Sequence, residues 1–181
     1  MYIAEQLKKQ SISEYLLYMW QVEDIIRAFG LDADKIETDY IPKFQLDAER
    51  TQELKGWYES LIQMMREENV TEHGHLQINK NILILLTDLH AQLLKSSKHP
   101  FYSAAYYKAL PFIVELRAKG DAQTEKGELE NCFDALYGTM LLRMQKKEIS
   151  PETANAITHI AHFIGMLSDY YKKDKEGDLE I

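Results

Sequence analysis

The chain reads as an all-α protein, a single-domain helical bundle of about six to seven helices. Apolar residues recur every three or four positions in nearly every segment, which is the helical period. No run shows the two-residue alternation of a strand, and the β-branched residues fall in helical registers. Eight glycines and four prolines among 181 residues are few, which favours long elements and short loops. At 45 % hydrophobic, the chain suits one domain with a sizeable core. That domain is expected over residues 1–173, with a charged, disordered tail over 174–181.

Residues 3–9 offer an early turn of helix. Ser11 to Glu14 spells a capping box that opens a helix running to Phe29 and stopping at Gly30. Ile12, Tyr15, Leu16, Met19, Val22, Ile26 and Phe29 form its stripe. A short helix from about Asp32 to Tyr40 is ended by Pro42. Asp47 is placed to cap the next helix, which turns Leu54, Trp57, Tyr58, Leu61, Ile62 and Met65 inward. Glu72-His73-Gly74-His75 makes a turn. The helix from about Leu76 to Lys95 is apolar over most of its circumference, with Ile78, Ile82, Leu85, Leu86, Leu89 and Leu93 on one face, so a central position is expected.

Pro100 stands as a first helical residue, and Tyr102, Tyr106, Leu110, Ile113 and Leu116 point inward from the helix it opens. Pro111 should kink that helix or split it, and Gly120 should end it. From about Thr124 to Lys147, a stripe of Leu129, Cys132, Phe133, Leu136, Met140 and Met144 follows. Ser150-Pro151-Glu152 supplies cap, first-turn proline and first-turn acid for the last helix, which buries Ile157, Ile160, Ala161, Ile164, Leu167 and Tyr171.

A formal net charge of −8 speaks against nucleic acid and against an anionic membrane surface as partner. The longest apolar run, Ile82 to Leu86, is too short to span a bilayer, and the amino terminus lacks a signal-peptide pattern. The lone Cys132 fits a reducing, cytoplasmic setting and, at helical spacing between Leu129 and Phe133, a buried inert thiol.

Candidate chemistry lies where polar residues fall on apolar stripes. Glu23 projects between Leu16 and Met19, about 20° from Ile12 around the helix. A carboxylate there must find a partner, change its proton affinity or mark a binding place. Asn79 and His90 fall within the arc of Leu83, Leu86 and Leu93, and Arg143 lies between the directions of Cys132 and Leu136. Glu23, Asn79, His90 and Arg143 could therefore converge as a ligand-binding or buried polar cluster. The plainer reading is a satisfied structural network, or stripe-edge residues reaching solvent.

His159, His162 and Asp169, and the Glu72-x-x-His75 string, invite a metal reading. Di-iron bundles need two such motifs facing inward with two further carboxylates. Here His162 and Asp169 point away from the stripe and Glu72–His75 spans a turn, so no metal ligand is assigned. Tyr18 and Trp20 flank the first stripe on its two sides, as a groove or dimer face would. No nucleotide loop, nucleophile elbow or kinase signature is present, so neither a catalytic residue nor a cofactor is assigned.

Met1-Tyr2-Ile3-Ala4-Glu5-Gln6-Leu7-Lys8-Lys9, the block Glu14 to Asp24, and His99-Pro100-Phe101-Tyr102 resemble a family of uncharacterised proteins of about this length from Bacteroidetes. The resemblance implies a bacterial, cytoplasmic, stand-alone helical domain and transfers no functional residue. The expected function is non-enzymatic, through protein contacts and as a homo-oligomer. The alternative is a small-ligand-binding or enzymatic bundle that uses the polar cluster around Glu23.

Overall fold

The helical periodicity resolves, in a computed structural model that describes residues 2–119 and 126–181, into eight α-helices, with no strand among the described residues. They are α1 (Tyr2–Gln10), α2 (Ile12–Ala28), α3 (Ala33–Asp39), α4 (Ala48–Glu67), α5 (Gln77–Lys95), α6 (Pro100–Lys119), α7 (Glu128–Met144) and α8 (Pro151–Glu176). A short 3-10 turn, Ile41–Phe44, joins α3 to α4. The count exceeds the six to seven expected because the first turn is a full helix, α1, separated from α2 by Ser11 alone. The stop expected at Gly120 and the start expected near Thr124 lie outside the described residues.

The chain forms two compact units. One spans Met1–Lys9 and Glu14–Ile82, the other Gln10–Ser13 and Leu83–Ile181. In the first unit, α2 buries Leu16, Met19, Val22 and Ile26, and α4 buries Leu54, Tyr58, Leu61, Ile62 and Met65 as the spacing predicts. Trp57 is only half-buried. Asp32 and Asp47 cap α3 and α4, each accepting hydrogen bonds from first-turn N–H groups that the helix itself cannot satisfy. Lys55 on α4 pairs with Asp34 at 3.0 Å and Glu37 at 2.6 Å, tying α3 to α4.

In the second unit, α6 packs on α8 along its length and α7 on both. Tyr102, Ala105, Tyr106, Ala109 and Ile113 are the buried face of α6, with Leu110 and Leu116 half-buried. Phe163 of α8 is fully buried and packs its ring against Tyr102 and Tyr106 of α6, with centroids 5.7 and 5.4 Å apart. Pro111 neither splits nor ends α6; it sits exposed inside one continuous helix. Its missing N–H falls on the outer face, where the carbonyl it would have served can meet water. Ser150 caps α8 as read, accepting from Thr153 N at 3.2 Å.

Several stripe assignments shift at the edges. Phe163 is buried and Ala161 exposed, because Phe163 lies 60° from Ile160 around the helix and Ala161 lies 100° away. The α7 stripe leaves the core in its last turn, where Met144 is exposed. On α5, Ile78 and Leu85 are exposed, so its apolar circumference does not make it buried all round. The charged end of the chain starts within α8, which runs to Glu176 and stops at Gly177 (φ +77°), a left-handed cap that glycine adopts without strain. No helix among the described residues is long and apolar enough to cross a membrane.

Candidate functional site

The polar residue trapped on the α2 stripe is fully buried: Glu23 has no exposed surface. Its partners come from the turn before α5 and from the first turn of that helix. Oε1 accepts from Leu76 N at 2.9 Å and from the Asn79 side-chain amide at 2.6 Å. Oε2 accepts from His75 Nδ1 at 2.6 Å. A buried carboxylate that receives three donors has both oxygens satisfied by hydrogen bonds.

The location adds to this. The opening N–H groups of a helix lack intrahelical acceptors and carry partial positive charge. Glu23 meets Leu76 N and Glu68 meets Gln77 N, at 2.6 Å, so two carboxylates from outside α5 close its amino end. Arg27, one turn beyond Glu23 on α2, donates to the carbonyls of Val70 and Gly74 and pairs with Asp24 at 2.9 Å. Four residues apart on one helix, Glu23 and Arg27 thus grip both ends of the 70–76 turn.

His75 is held as firmly. Its ring stacks on Trp20, with centroids 4.1 Å apart and planes 11° from parallel. With Nδ1 engaged by Glu23, the remaining nitrogen, Nε2, is the one open to a ligand. It has no hydrogen-bond partner among the described residues, and the side chain retains 23 % of its exposure. Asn79 Oδ1, by contrast, is buried without a partner among those residues. Trp20 is itself buried and serves as the floor for this ring, so it is not the exposed flank of a dimer face; Tyr18 is half-buried.

Of the four candidates read from the sequence, Glu23 and Asn79 are therefore directly bonded. His90 and Arg143 belong to the second unit. His90 is buried, its Nδ1 2.6 Å from the Tyr102 hydroxyl and its Nε2 3.7 Å from Glu128. The facing His90 imidazole, and after it the Tyr106 hydroxyl, hold the Glu128 carboxyl below its usual range against the opposing effect of burial. Burial pushes the Tyr106 hydroxyl up to about 12, and likewise the Cys132 thiol, with the Glu128 charge adding to both. Arg143 is exposed in the last turn of α7, where its charge faces the carbonyl end of the helix. The stripe on which the spacing places it has left the core by that turn.

The sequence reading did not pair His75 with Glu23, nor Tyr102 and Glu128 with His90. The available signal for His75 was its position just before the orphan N–H groups of α5, where a carboxylate is drawn in. Among the described residues no three His, Cys, Asp or Glu side chains gather as a metal set. His159 instead stacks on Phe112 at 5.1 Å, and His162 and Asp169 are exposed.

These features define an all-helical protein whose best-built polar feature is a buried carboxylate–histidine pair closing a helix. The family model described as domain of unknown function (DUF4924) matches residues 1–178, and the chain belongs to that family. No curated protein and no solved structure matches the chain.

Proposed function

We propose that the chain is a non-enzymatic helical protein that works through protein contacts, as a homo-oligomer, with the Glu23 cluster as a structural anchor. The observation that carries this reading is the outer face of α6. Tyr107 and Val114 are 62 % and 54 % exposed, 20° apart around the helix and on the side opposite the buried Tyr102, Ala105 and Ala109. Large apolar groups aligned in one direction on a helix mark a surface that is covered in use. The Glu23 carboxylate fits the structural role, since all its bonds go to the chain's own donors. Sedimentation velocity over a wide concentration range tests the reading. A coefficient that rises with concentration supports it; a constant monomer value, with α6 side chains fully open to labelling, sinks it.

A second reading keeps a small ligand at His75, favoured by the free Nε2 and the unpartnered Asn79 Oδ1. Native mass spectrometry of freshly purified protein tests it. A small-molecule adduct that disappears in Glu23→Gln would favour the ligand; a bare chain mass would count against it.

A further inference from the structure

The first unit carries a pocket of about 360 Å³ that neither the protein-contact reading nor the His75 site uses. It lies where the start of α1, the 3-10 turn and the first turns of α4 meet, and its size falls within the range of about 300–1,000 Å³ typical of small-molecule sites. Leu54, 3 % exposed, is the floor. Ile3, Phe44 and Leu46 are half-buried walls, packed on one side and bare on the other. The Tyr40 ring meets the Phe44 ring edge-on at 5.3 Å. Between the two wall residues Gln45 takes a left-handed conformation (φ +51°) and donates to the Pro42 carbonyl at 3.2 Å, which fixes the backbone that presents them.

The rim carries two charges of opposite sign, Arg50 and Glu53. They lie three residues apart on α4, a spacing at which such side chains ordinarily pair, yet among the described residues they form no ion pair with each other. Arg50 meets only the Asp47 carboxylate, at 3.8 Å, with 71 % of its side chain in solvent, and Glu53 has no hydrogen-bond or ion-pair partner among the described residues.

The geometry points to a site for a free apolar α-amino acid, its side chain on Leu54 between Phe44 and Leu46, its carboxylate on Arg50 and its ammonium group on Glu53. Burial of the side chain supplies the attraction, and the two rim charges supply the selection. An uncharged apolar molecule leaves both charges unanswered. An apolar acid sets its carboxylate beside Glu53, and an apolar amine sets its ammonium beside Arg50; each meets one attraction and one repulsion. A zwitterion answers both. Because the rim is open to water, each charge pair is worth little on its own, and losing one weakens binding by about fivefold rather than abolishing it.

The test titrates the full, nitrogen-15-labelled chain and follows its amide signals. L-Phenylalanine should shift the signals of residues 44–54 saturably, and glycine, the same head without an apolar body, should not. 3-Phenylpropanoate and 2-phenylethylamine, each with one of the two charges, should bind about fivefold more weakly than L-phenylalanine. Arg50→Gln and Glu53→Gln, both at exposed positions, should weaken L-phenylalanine by a similar factor and leave the spectrum elsewhere unchanged. No saturable shift with L-phenylalanine or L-leucine would overturn the proposal. Equal binding of the three phenyl compounds, or indifference to both variants, would also overturn it and leave an unselective apolar hollow. Shifts centred on residues 73–79 would overturn it too and move the ligand to His75. The protein-contact reading stands or falls separately, since no residue of this pocket lies on α6.

Discussion

Replacing Glu23 by alanine strands two donors that have no route to water, the Leu76 N–H and the Asn79 amide, and frees the His75 ring. Removing one member of a buried, hydrogen-bonded polar set costs about 3–5 kcal/mol. His75→Ala should cost less, about 1–2 kcal/mol, because Glu23 keeps two donors and the ring is partly exposed. Urea unfolding of both single variants and the double variant checks this. The double variant should lose clearly less than the sum, since the two side chains share one bond. Additive losses would mean that the 2.6 Å contact contributes nothing of its own. Glu128 supplies a pH test. Its carboxyl is held below the ordinary range in the folded state, so its contribution is fully present above the unfolded value of about 4.3 and is lost as pH falls through the folded one. Melting curves of wild type and Glu128→Gln should differ at pH 6 and converge as pH falls through that folded value. A gap that persisted in strong acid would place the effect in packing rather than charge.

At the scale of elements, the caps are the local test. Ser150 Oγ accepts the Thr153 N–H, one of the orphan donors of α8, so Ser150→Ala should cost about 1 kcal/mol, read as a lower melting temperature with unchanged helix content. Caps such as Asp47, Ser150 and Pro151 were legible in the sequence because they act within one turn of chain. The buried faces of α2 and α4 were legible for the same reason, as periodicity is a local property. What periodicity cannot supply is where a stripe leaves the core. Arg143 and Met144 keep the spacing of α7 and yet stand in solvent, and Leu85 keeps that of α5. Partner choice was less legible still. Glu23 plainly needed a partner, and Asn79 was among those named. The decisive donors, Leu76 N and His75 Nδ1, come from a turn whose approach to α2 is tertiary and leaves no mark in the local pattern.

For the whole molecule, the formal charge of −8 and the exposed apolar face of α6 pull in opposite directions. Bringing two copies together concentrates like charge, which opposes association and is screened by salt, within about 10 Å at 0.1 M ionic strength. Burial of Tyr107 and Val114 is apolar and is not weakened by salt in that way. The balance gives a definite sign: raising salt from about 0.02 M to about 0.5 M should strengthen self-association, with most of the change at the low-salt end, where the Debye length shrinks fastest. Sedimentation equilibrium at a series of salt concentrations measures it. If association instead weakened with salt, attraction between opposite charges would have to outweigh the net repulsion. The contact would then be carried by exposed charges such as Lys108 and Glu115 rather than by the apolar face. The same series run on Ala104→Arg separates the two causes. The variant trades an exposed methyl beside Tyr107 for a charge that lowers the net repulsion, so a repulsion-limited, charge-driven contact would tighten, whereas a contact built on that face would be lost at every salt concentration.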